Sequence, residues 1–142
     1  LQLVIYQYRK DRISALKSDV GASSGSDMFG QGKISMVIEG NWAIPYLQET
    51  FLQIDFATAE VPKTKNIKGT MVYTFAYIMN QQTKHKEAAW ELISYLTGKE
   101  GMEKSRGRGF PLPTRKSVAE KLGYDHDYLR SALVAAVDYA TP

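Results

Sequence analysis

Apolar positions along the chain switch between helical spacing and short continuous runs, which predicts helices alternating with strands. Leu3, Val4, Tyr6, Tyr8, Ile13 and Leu16 recur at imperfect helical spacing and predict a helix over residues 3–17. The stretch 20–26, VGASSGS, is small and polar and reads as a mobile loop, with Asp27 placed to cap a single turn through Phe29 and Gly30. Residues 34–39 are apolar on both faces, as expected of a buried strand, and 43–51 follow as a helix with Pro45 tolerated in its first turn. A second strand is expected over 54–59, a basic exposed loop over 62–69 (PKTKNIKG), and a third strand, rich in aromatic and branched residues, over 71–80.

The strongest helical pattern comes next. Thr83 is placed to cap it, Ala88, Ala89, Leu92, Ile93 and Leu96 share one face, and Gly98 is expected to end it in a left-handed conformation. A shorter helix through Met102 leads to Arg106-Gly107-Arg108-Gly109, and two prolines hold residues 110–114 extended. Helical pieces over 117–122 and 127–139 close the chain. Strands alternating with helices predict α/β architecture, and no internal repeat is visible.

Composition narrows this picture. A chain of 142 residues, 44% hydrophobic and 23% charged, can bury a core and is not of the disordered class. A formal charge of +3 is too mild to imply nucleic acid, although residues 99–121 are locally basic. The absence of cysteine excludes disulfides and thiolate metal sites, and fits export as well as the cytoplasm. No apolar run reaches the length of a membrane span. The chain opens inside a predicted helix and stops at Thr141-Pro142, where a turn is due, so a fragment of a longer protein is expected.

Several short patterns carry candidate chemistry. Gly21-Ala22-Ser23-Ser24-Gly25 matches the G-x-S-x-G pattern of a serine hydrolase, but that elbow needs a preceding strand and the residues before it do not form one. Gly30-Gln31-Gly32-Lys33 has the glycines and lysine of a phosphate loop, yet Ile34 stands where a Ser or Thr is needed and a strand follows, so a tight turn is the better account. Asp125-His126-Asp127 is consecutive and cannot converge on one metal ion; a helix cap at Asp125 or Asp127 is expected instead. His85 is expected to face water, and the single Arg-Gly-Arg-Gly loop is too short for a nucleic-acid segment. The aromatic residues are the more informative set. Alternation sends Tyr73, Phe75 and Tyr77 to one face, with core packing expected for at least two of them, while Trp42 at a strand exit is equally a core or a site residue.

Residues 28–42, MFGQGKISMVIEGNW, strongly resemble the F-x-x-G-K-x-A-M-x-x-x-G-x-W segment of extracellular solute-binding proteins of sugar ABC transporters, the maltose-binding-like group. Pro62 with its basic loop, the helix Lys84-His85-Lys86-Glu87-Ala88-Ala89-Trp90-Glu91-Leu92-Ile93, and Leu112-Pro113-Thr114-Arg115-Lys116-Ser117 agree in order and approximate spacing, so the resemblance covers nearly the whole chain. It implies a type II periplasmic-binding-protein fold of two α/β lobes that close about a hinge, a motion for which periplasmic binding proteins are themselves a standard example. It places residues 1–142 in the C-terminal half, with inter-lobe crossings near 68–76 and again near 112–118. It also implies a sugar or oligosaccharide ligand, an ABC transporter permease as partner, an extracytoplasmic location with membrane attachment only through a missing anchor, and neither catalysis, cofactor, metal nor nucleic acid.

In that family the tryptophan after the glycine commonly stacks on a sugar ring, which matches Trp42. Asn41 and Glu39, with Gly40 between them, would supply hydrogen bonds and the turn. A Gly-Gly-aromatic turn often marks the crossing between lobes; residues 70–75, TMVYTF, lack the glycine pair, which weakens the carry-over to Tyr73 and Phe75 as ligand contacts. A polyamine or other small solute is the alternative within the fold, and a serine hydrolase using Ser23 or Ser24 the alternative outside it. Apolar surface left open in a fragment would also favour self-association.

Overall fold

A computed structural model describes residues 7–63, 65–106 and 111–141. The backbone divides into two compact units, Leu1–Asp55 and Phe56–Pro142. The start of the expected 3–17 helix, most of the Arg-Gly-Arg-Gly stretch and residue 110 lie outside the described residues.

In the first unit the expected 3–17 helix is divided. Residues 7–9 are helical, Arg12 then takes a left-handed φ of 53°, and a new short helix α1 spans Lys17–Val20. A non-glycine residue at positive φ cannot continue a right-handed helix, so the turn at Arg12 overrides the apolar spacing. The small polar stretch after α1 is not all loop, because helix α2 spans Gly25–Gly30. Its cap is Ser24 rather than Asp27: Ser24 Oγ accepts the Asp27 N–H at 3.0 Å.

Asp27 instead faces inward and holds the unit together. Its Oδ2 accepts the Ser23 N–H at 3.1 Å and the Ser23 hydroxyl, and its Oδ1 accepts the Tyr46 hydroxyl from helix α3, Ala43–Thr50. Helix α3 buries Ala43, Ile44 and Leu47, and these with Met28 form the unit's apolar core. Pro45 falls within the first four helical residues, where a missing N–H leaves no partner unsatisfied.

The bond from Tyr46, reinforced by Ser23 and Ser24, holds the Asp27 carboxyl below its ordinary value against the opposing effect of burial. A carboxyl with a depressed folded pKa contributes stability above its unfolded value and loses it as pH falls through the folded one. Asp27→Asn is therefore expected to be less stable than the native chain at pH 7, with the difference shrinking as pH drops below 3.8, the ordinary carboxyl value. Urea midpoints measured from pH 7 down through the acid range check this; a difference independent of pH would show that the Asp27 charge does not contribute.

The second unit has its own interior of Met102, Val118, Ala119, Tyr124 and Leu129. Around it lie helix α4 (Lys86–Thr97), helix α5 (Lys99–Arg106), helix α6 (Lys116–Lys121) and helix α7 (Ser131–Ala136). Thr58 Oγ1 donates to Leu129 O at 2.9 Å, and the Tyr124 hydroxyl donates to Arg106 O. Arg115 Nε bonds Thr97 O at 3.0 Å, linking the approach to α6 with the end of α4.

Thr83 forms a turn ahead of α4 rather than its cap, its Oγ1 accepting the His85 N–H at 3.2 Å. Gly98 is extended at φ −72° and ψ 166°, not left-handed. Its N–H bonds Tyr95 O at 3.1 Å and its carbonyl accepts the Met102 N–H at 3.0 Å, so the chain passes straight from α4 into α5 and no left-handed exit is required. Helix α7 starts later than the spacing predicted, because Asp127 Oδ1 accepts the Leu129 N–H at 2.9 Å and Oδ2 takes Arg130 at 3.1 Å. Local side-chain bonds of this kind compete with helix initiation.

The sheet is the main departure from expectation. Among the described residues the ladder is a parallel pair, β1 (Thr70–Met71) with β2 (Ala140–Thr141), and the chain there is mostly helical. The expected strands at 34–39 and 54–59 carry no ladder, and 71–80 joins the ladder only at its start. Strand composition lies in one segment, whereas a ladder needs the N–H and C=O groups of another. Tyr73, Phe75 and Tyr77 are accordingly exposed by 64%, 75% and 47%, which overturns the expectation of core packing. Helix α4 forms as predicted, but its apolar face is not sealed: Leu92 is 57% exposed and no residue of the helix is buried. No helix among the described residues is long and apolar enough to cross a membrane.

Candidate functional site

The approach to the site keeps the alternation of a strand without its ladder. Met36 and Ile38 are exposed, while Val37 and Glu39 turn toward Gly25 at the start of α2. A Cβ on Gly25 would fall 2.6 Å from Glu39 Oε1 and 2.9 Å from Val37 Cγ2, so the two side chains use space that a side chain at position 25 would take, and one there would shift them.

The chain then turns through Glu39-Gly40-Asn41-Trp42 into α3. Gly40 O accepts the Ala43 N–H at 3.1 Å, and Trp42 is the N-cap residue with helical backbone angles and no side-chain cap. The Trp42 indole folds back over Gly40, where a Cβ would lie 2.1 Å from its Cζ3. Its Nε1–H donates to Glu39 Oε2 at 3.0 Å. An indole N–H donating to a carboxylate is a charge-assisted bond and stronger than a neutral one. The ring is thus fixed at two points and remains 43% exposed.

Of the six residues expected to bind ligand, Glu39, Gly40, Asn41 and Trp42 form one group on this turn, with Asn41 half-buried. Tyr73 and Phe75 belong to the second unit and are exposed there. Gly25 is the member that sequence reasoning missed. Its only mark in the sequence is as the last glycine of the G-x-S-x-G pattern, and its closeness to Glu39 is a tertiary contact.

The serine pattern has a different use. Ser24 caps α2 by accepting the Asp27 N–H, and Ser23 bonds the Asp27 carboxylate, so both hydroxyls are committed to one residue at a helix start. The spacing Ser24-x-x-Asp27 is itself a signal for a helix N-terminus and was available in the sequence. Asp127 likewise serves the turn before α7, and His126 Nε2 stands 3.2 Å from Asp125 Oδ2.

Residues 5–132 match the family described as bacterial extracellular solute-binding protein. The chain belongs to this family. Proteins named as binding proteins from Brucella abortus (strain 2308) and Brucella suis biovar 1 (strain 1330) are each 30% identical to it over 118 residues. The match takes in 82% of this chain and 28% of either relative, so the chain spans little more than a quarter of their length. The family match includes both the Trp42 turn and the second unit through α6.

Proposed function

We propose that this chain forms part of an extracytoplasmic binding protein that captures a sugar or oligosaccharide and delivers it to an ABC transporter permease. The observation that carries the reading is Trp42: a half-exposed indole, packed over Gly40 and bonded to Glu39, with Asn41 preceding it in the same turn. A pyranose has an apolar C–H face that covers an aromatic ring and hydroxyls that need a few placed polar partners. Trp42 provides the first and Asn41 the second. Binding and lobe closure, not covalent chemistry, are the function, and ligand biases the closed form through its differential affinity.

In this reading residues 1–142 come from the C-terminal half of a two-lobed protein, and the chain crosses between lobes near 68–76 and 112–118. The coverage of the Brucella relatives supports a longer protein. The arrangement at the first crossing supports a hinge role for the loop after Lys68. Glu60 Oε2 takes both Lys68 Nζ and the Tyr139 hydroxyl at 2.6 Å, beside the β1–β2 pair. Tyr73 and Phe75 follow directly in the chain, are exposed, and are proposed as further ligand contacts.

A thermal-shift screen of the intact protein against a sugar panel, with polyamines included, tests the proposal. A ligand that binds only the native state raises the unfolding midpoint by mass action. A carbohydrate is expected to raise it. A shift with a polyamine and none with any sugar would replace the proposed ligand, even though a polyamine wants several carboxylates and the Trp42 turn offers Glu39 alone.

A further inference from the structure

We infer that Glu39 is the positioning residue of this site: its carboxylate, seated against Gly25, fixes the plane of the Trp42 indole. The inference rests on the proposed stacking role of Trp42 and changes the part expected of Glu39, from a direct partner of sugar hydroxyls to a residue that acts through the ring.

Three contacts carry it. Glu39 Oε2 accepts the indole N–H at 3.0 Å, which takes up the ring's one polar group. Recognition at Trp42 is then by the ring face and not by a hydrogen bond from its edge. Gly40 admits the six-membered ring against the backbone, where a Cβ would be 2.1 Å away. Gly25 admits Glu39 Oε1, which a Cβ would approach to 2.6 Å. The carboxylate therefore lies between a helix start and the indole, bonded to the second and packed against the first.

The start of that helix is itself defined. Ser24 caps it, and Asp27 on its first turn bonds Ser23 and Tyr46. Position 25 is thus a fixed wall for Glu39. A ring held in its binding orientation loses little freedom when a sugar arrives, which is the usual gain from preorganisation.

The test uses the indole itself, because Trp42 and Trp90 are the two tryptophans of the chain. In a Trp90→Phe background, the Nε1–H resonance of Trp42 and its exchange with solvent report the bond to Glu39. Glu39→Ala is expected to move the resonance upfield and speed exchange, and Glu39→Gln, which keeps an acceptor oxygen, to restore both. Gly25→Ala supplies a second variant. Helix propensity alone predicts that it stabilises the chain, whereas the positioning role predicts that it displaces Glu39 and releases the indole. Unchanged indole signals in Glu39→Ala and Gly25→Ala would overturn the inference, whatever happens to binding.

Maltose titration of the intact protein then separates the two proposals. Released indole with affinity weakened roughly three- to tenfold supports positioning. Loss of affinity in Trp42→Ala with none in Glu39→Ala overturns positioning and leaves stacking intact. Equal maltose binding, or none, in the native protein and Trp42→Ala defeats stacking for maltose, and the indole signals still decide whether Glu39 holds the ring.

Discussion

Replacing Trp42 by alanine is expected to weaken the proposed sugar binding by roughly 30-fold, about 2 kcal/mol, the scale of an aromatic hot spot. Three features lead to that size. The indole is 43% exposed, so the free protein has apolar surface available to cover. It is already fixed by Glu39 and Gly40, so little ordering opposes binding. Its N–H is occupied, so the loss falls on stacking and area, not on a hydrogen bond that water could replace.

Thermal shift gives a direct readout. At a ligand concentration of about 100 times Kd, a native-state ligand stabilises by about 2.7 kcal/mol. A site weaker by roughly 30-fold at the same concentration retains only about 0.9 kcal/mol. The unliganded midpoint should move little, because the half-exposed ring contributes less packing than a core residue. Equal sugar shifts in the native protein and Trp42→Ala would remove the site from this turn. A large fall in the unliganded midpoint would mean that the ring is structural.

The second large effect is on stability. Leu129→Ala is expected to cost about 2–5 kcal/mol, the range for deleting a buried leucine side chain. Leu129 is 1% exposed, and its backbone is held on both sides: its N–H bonds Asp127 Oδ1 and its carbonyl accepts from Thr58. Those bonds persist when the side chain is cut, so the interior cannot readily collapse into the space left behind. Urea denaturation should show a midpoint lower by about 1 M or more. Hydrogen exchange should quicken in α6 and α7. Leu92→Ala, at a position 57% exposed, should stay within about 0.5 kcal/mol of the native chain. Similar costs at the two positions would contradict the core assignment.

The contrast between Leu92 and Leu129 marks how far the pattern could be read. The helix carrying Leu92 was legible because its apolar residues recur within one segment, and helix α4 forms where that spacing placed it. Whether the face is covered depends on other segments, and here it is not. Leu129 had no comparable signal: it lies in a turn, its backbone bonded to Asp127 and to the distant Thr58, and it is nonetheless 1% exposed. Asp27 was partly legible, since Ser24-x-x-Asp27 marks a helix start, but its bond to Tyr46 joins two helices and leaves no local trace.

By itself the sequence determined the helices at 43–50 and 86–97 and the family-like turn that ends in Trp42. Those features close their hydrogen bonds, or place their side chains, within a few residues. Only the tertiary structure decided which apolar runs found a ladder and where the Glu39 carboxylate rests. A ladder needs a second strand, and the space beside Glu39 exists because Gly25 approaches from another helix. Neither partner is specified by the spacing of residues in the segment that needs it.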